Sequence, residues 1–159
     1  MGFMDKLEDV APQAQEGMAK VTPKAEKDVG GDQFAIDVQA VWAQAEPVDG
    51  VTTNINVFRE ELNGVSPSDY FAISEQQLRA ATGFVTGAGP LLDGPSVGGE
   101  PSRTVDYSAA PAQGQTARLR LVTVIRGGAA YNITLTASPG AFESAASDLD
   151  AIIASWSWN

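Results

Sequence analysis

Residues 116–137 read TARLRLVTVIRGGAAYNITLTA, and they decide the fold. On either side of Gly127-Gly128 the chain alternates with a period of two, as a half-buried strand requires. Arg118, Arg120 and Arg126 share one parity, opposite Leu119, Leu121 and Ile125. Glycine adopts the positive φ of a two-residue turn at no steric cost, so the segment predicts an antiparallel hairpin of strands 116–126 and 129–137.

Downstream of the hairpin, Ser138-Pro139 predicts the start of a last helix. Its apolar residues Phe142, Ala145, Ala146, Leu149, Ile152, Ile153 and Trp156 recur at steps of three and four. A stripe that wide must lie against a sheet. Upstream, the pattern predicts strands over 103–107 and 84–86, separated by an irregular loop at 87–101 rich in glycine and proline. A loop at 109–115 precedes the hairpin. Ser66-Pro67-Ser68-Asp69 announces a middle helix: Ser66 can accept from free amides, Pro67 suits the first turn, and Asp69 favours the positive helix end. This helix runs through Tyr70, Ile73, Leu78 and Ala81 to Gly83. Alternation at 34–40 and 51–58 adds two strands. The order predicts an α+β domain, an antiparallel sheet packed by helices.

Composition changes near residue 33. Lys6, Lys20, Lys24 and Lys27 all precede it, and every arginine follows it. Phe3, Leu7, Val10, Ala14 and Val21 form a weak helical stripe that Pro12 and Gly17 interrupt, and Val29-Gly30-Gly31-Asp32 reads as a hinge. Residues 1–32 are therefore expected to be a flexible, partly helical arm and 33–159 the folded domain. The arm either frays or docks as a helix on a partner.

The 159 residues are 43% hydrophobic, enough to bury a core. There is no cysteine and no histidine, which removes thiolate chemistry, the usual general base near neutral pH and the commonest transition-metal ligand. A formal net charge of −10 repels phosphate backbones and anionic membranes, so nucleic acid is not expected as a partner. No apolar run approaches the roughly 20 residues of a membrane span. Met1-Gly2-Phe3-Met4-Asp5-Lys6 has no signal-like apolar stretch, which points to the cytoplasm and leaves export of a processed form open.

No catalytic, cofactor or metal residue is assigned. Glu60 and Glu61 are adjacent on an extended chain and point to opposite faces. Gly83, Gly87 and Gly89 lack the lysine and hydroxyl of a phosphate loop, and Asp28 and Asp32 lack calcium-loop spacing. Asn132-Ile133-Thr134 matches a glycosylation sequon but sits within a predicted strand, and no serine has an activating partner. The chain is expected not to be an enzyme.

Five segments together resemble the PsbP-like fold family, most nearly its actinobacterial LpqN-type and DcrB-like members. They are Asn54-Ile55-Asn56-Val57-Phe58, the capped helix from Ser66 to Tyr70, Gly98-Gly99-Glu100-Pro101-Ser102-Arg103, the hairpin from Val122 to Tyr131, and the ending Ala151-Ile152-Ile153-Ala154-Ser155-Trp156-Ser157-Trp158. The resemblance covers about residues 33–159. It implies an α/β/α sandwich and a non-enzymatic role in binding or assembly, with no catalytic residues to carry over. Two departures stand out. No lipobox cysteine is present, so lipid anchoring is not carried over, and the segment between Trp42 and Thr52 is short for the family.

The candidate partner-binding residues are Arg118, Arg120, Arg126, Arg103 and Trp158. With Arg59, the arginines form either a basic patch for a carboxylate-rich partner or cross-strand pairs with Asp106 or Glu60. Trp156 continues the helix stripe into the core, whereas Trp158 either plugs the sheet or offers a contact surface. The leading expectation is a non-catalytic protein-binding, adaptor or assembly module that docks through its sheet edge, its glycine- and proline-rich loop or its arm. The alternative is a carrier for a hydrophobic small molecule held between sheet and helix.

Overall fold

The computed structural model describes residues 18–20, 36–44, 46–80, 85–86, 89–110 and 114–158. The hairpin forms as expected. Strands β7 (Ala117–Arg126) and β8 (Ala129–Ala137) pair from Arg126↔Ala129 to Arg118↔Ala137, with Gly127 and Gly128 at φ 60° and 77°. Around them the described strands make one antiparallel sheet of order β1-β2-β3-β8-β7-β6-β4, where β1 is Met18–Lys20, β2 Ile36–Gln44, β3 Asn54–Glu61, β4 Val85–Thr86 and β6 Ser102–Ala109. A further two-residue strand, β5 (Leu92–Asp93), also pairs with β6.

The short β2–β3 connection is a tight hairpin. Val48 and Val51 bridge across Asp49 and Gly50, whose φ of 52° and 76° give a mirror-image turn that leads directly from strand to strand. Strict alternation fails once in β2: the register shifts between Val38 and Ala40, so Val38 lies opposite Phe58 and Ala40 opposite Val57. Within the arm, β1 pairs with Trp42–Gln44 and extends the sheet. The arm's helical stripe and hinge lie outside the described residues.

Helix α1 spans Pro67–Ala80. Ser66 caps it as expected, its Oγ accepting from the Asp69 amide at 3.2 Å and donating to Asp69 Oδ2 at 2.7 Å. Of its expected apolar stripe only Tyr70 is buried, and Ile73 is 42% exposed. The expected end at Gly83 lies outside the described residues. Helix α2 spans Phe142–Ala154, starting later than the Ser138-Pro139 signal suggests. Ser138 instead closes the preceding turn, where its Oγ and carbonyl both accept from the Ala141 amide, and Ala141 holds the cap position without a side-chain bond.

The two helices cover opposite faces. On one face α2 lays Phe142, Ala145, Ala146, Leu149, Ile152 and Ile153 on Ile55, Val57, Val122, Val124, Ile133 and Leu135. On the other, α1 packs Tyr70 and Phe71 against Leu62, Ala130 and Ile125. The result is an α/β/α arrangement set by strand parity. No helix among the described residues is long and apolar enough to cross a membrane.

Candidate binding site at the sheet edge

The predicted site residues do not assemble into one patch. Arg118, Arg120 and Arg126 do share a face, but it is the face α2 covers, and Val122 and Val124 between them are 1% and 0% exposed. Arg118 and Arg126 stand at opposite ends of β7, roughly 27 Å apart at 3.4 Å per residue. Arg103 projects from the other face, beside Phe71 of α1.

Each arginine is engaged. Arg118 lies 4.1 Å from the Phe142 ring centre and pairs with Glu143 at 3.1 Å. Arg120 donates from Nε and Nη2 to the two oxygens of Asp106 at 2.8 and 2.9 Å. That bidentate bond holds its pKa above the ordinary value, against the opposing effect of burial. Arg126 pairs with Glu100 and lies over the Trp158 ring, and Arg103 pairs with Asp93. Arg59 pairs with Glu61, while Glu60 instead accepts from the Tyr70 hydroxyl. Trp158 acts as a plug: its Nε1 donates to the Val97 carbonyl at 3.0 Å, and its ring meets Tyr131 and Trp156 edge-on.

What the chain does build is a cleft of about 380 Å³ beside Arg120. Its walls are Pro90, Leu92 and Pro95 from the loop before β6, Asp106 from β6, Val122 from β7 and Asp150 from α2. Among the described residues the edge of β6 beside the cleft is paired only in part. Gly94 donates to the Ser102 carbonyl, so the outward backbone groups of β6 are those of Ser102, Thr104, Asp106 and Ser108. Leu92 lies opposite Thr104 and Thr86 opposite Ser108, which leaves Asp106 without a strand partner on that side among the described residues.

Sequence patterning offered the glycine- and proline-rich loop, with the sheet edge and the arm, as a docking surface, and named no binding residue within it. It placed neither β5 nor the tight turn at Gly98-Gly99, where Val97 bridges Glu100. Asp150 looks like any exposed helix residue until the fold sets it 3.8 Å from Arg120. Among the described residues the cleft offers two carboxylates, Asp106 and Asp150, and one guanidinium, Arg120, that is already engaged. No group of three His, Cys, Asp or Glu side chains that could hold a metal ion occurs among the described residues.

No family model matches the chain, and no curated protein sequence does. Solved structures do. The chain is similar to PA94 from Pseudomonas aeruginosa, a protein of unknown function proposed to be a regulator, with TM-score 0.59 and 16% identity over 89% of this chain and 97% of that one. It is also similar to LpqN, involved in cell envelope biogenesis of Mycobacterium tuberculosis, with TM-score 0.55 and 15% identity over 91% of this chain and 94% of that one. The fold is LpqN-like. At these identities the likeness extends to the fold alone.

Proposed function

We propose that this chain is a non-catalytic protein-binding module that acts in docking or assembly. Leu92 carries the proposal. It is the most exposed large hydrophobic residue among those described, at 61%, and it lines the cleft beside Asp106 and Asp150. An apolar anchor next to charged groups suits a protein contact. The role of LpqN in cell envelope biogenesis supports an assembly function here, while membership of the wider PsbP-like grouping rests on the sequence resemblance. A cytoplasmic location belongs to the same proposal and is checked by cell fractionation.

The alternative, a small hydrophobic molecule carried between sheet and helix, finds that space filled by Ile133, Leu135, Phe142 and Leu149, all 0% exposed. The test replaces Leu92 with photoreactive benzoylphenylalanine in cells of the source organism, with the same replacement at Ile73 on the opposite face for comparison. A discrete protein adduct from position 92 and none from 73 is the expected result. Equal adducts from both positions, or none from 92, would remove the proposal.

A further inference from the structure

We propose that the cleft receives a basic side chain, arginine or lysine, from an otherwise apolar segment of the protein partner. This rests on the protein-binding reading above and names the partner's chemistry. It reverses the expectation of a carboxylate-rich partner drawn from the arginines alone.

Three observations support it. First, the only cation lining the cleft among the described residues, Arg120, is already held by both oxygens of Asp106. An incoming carboxylate would meet a guanidinium whose charge Asp106 already offsets, and it would lie beside two carboxylates, Asp106 and Asp150. Second, Asp150 reaches Arg120 only at 3.8 Å and keeps its side chain 65% exposed. A guanidinium or ammonium group can therefore bond to it without displacing anything. The body as a whole leans the same way: the six arginines each have a carboxylate partner, and the chain still carries a net charge of −10. Such a field draws cationic segments in and turns anionic ones away.

Third, the surroundings suit the rest of a basic residue. Pro90, Leu92, Pro95 and Val122 offer apolar surface along which a three- or four-carbon stem can lie while its charged head reaches Asp150.

The test is an NMR titration of the isotope-labelled full chain with three blocked peptides: acetyl-Leu-Arg-Leu-amide, acetyl-Leu-Gln-Leu-amide and acetyl-Leu-Glu-Leu-amide. The expected result is a saturable shift of the Asp106, Leu92 and Arg120 amides with the arginine peptide. Its affinity should exceed that of the glutamine peptide by about fivefold, the upper range for a partly exposed ion pair. Asp150→Asn should remove that margin while leaving the spectrum of a folded protein. Equal responses to all three peptides, a preference for the glutamate peptide, or no shift at Asp106 would overturn the proposal. If the Leu92 adduct persists while the arginine peptide shows no preference, the protein-binding reading stands and the basic chemistry falls. Loss of both removes both.

Discussion

At the scale of single residues, Gly98 and Tyr70 show the fold's constraints from opposite sides. Gly98 holds φ +57°, and a Cβ there would lie 2.6 Å from Trp158 Nε1 and 2.7 Å from its Cδ1. The indole cannot retreat freely, because that same nitrogen donates to Val97. Gly98→Ala should therefore cost about 1–3 kcal/mol, counting backbone strain and overpacking, as read by urea denaturation. Unchanged stability would show that Trp158 is loosely held. Tyr70 is 7% exposed and donates to Glu60, while Asn132 donates to its hydroxyl and accepts from Thr123. Burial, chiefly, pushes its pKa up to about 12 from 10.0, with the Glu60 bond adding to the rise. The neutral phenol is thus favoured in the folded state. Its contribution to stability is complete below pH 10 and is lost as pH climbs from about 10 toward 12, because the unfolded chain releases the proton first. Alkaline unfolding of Tyr70→Phe should lack that part of the decline, and an unchanged pH profile would contradict it. Neither contact could be seen in the sequence. Trp158 meets a carbonyl 61 residues earlier and Tyr70 an amide 62 residues later, distances that no local pattern encodes.

At the scale of elements, what could be read in advance follows from what is periodic. The β7–β8 hairpin and the apolar stripe of α2 repeat at two and at three-to-four residues, and both formed where the pattern put them. The misses are aperiodic. A one-residue shift in β2, a two-residue β5 set by pairing alone, and a helix start displaced from Ser138 to Ala141 all depend on partners elsewhere in the chain. Leu149 tests the element that was clearest. It is 0% exposed within the α2 core, so Leu149→Ala should lower unfolding free energy by about 2–5 kcal/mol in chemical denaturation. A loss below about 0.5 kcal/mol, far under the usual range for a buried leucine, would mean that the stripe does not bear on the sheet.

At the scale of the whole molecule, the decisive feature is how charge is distributed. The sequence shows which strand parity the arginines share but not that a helix arrives on that face. Only the fold brings Glu143 and Asp150 of α2 down beside Arg118 and Arg120. The candidate site therefore moved from the arginines to the carboxylates and apolar residues around them. Its pieces, the loop at 87–101 and the exposed Asp150, were visible individually, and their meeting was not. The central claim is that Arg118 and Arg120 hold α2 to the sheet. Urea denaturation of the Arg118→Glu, Arg120→Glu double variant tests it most directly. The change removes three ion pairs and the contacts with Phe142, and it sets new carboxylates against Glu143, Asp106 and Asp150. Summed over lost pairs, cation–π contacts and like-charge repulsion, the predicted loss is about 2–4 kcal/mol. Unfolding within about 0.5 kcal/mol of the wild type, no more than an ordinary surface substitution, would show instead that the arginines are free surface groups and return them to the role of partner contacts.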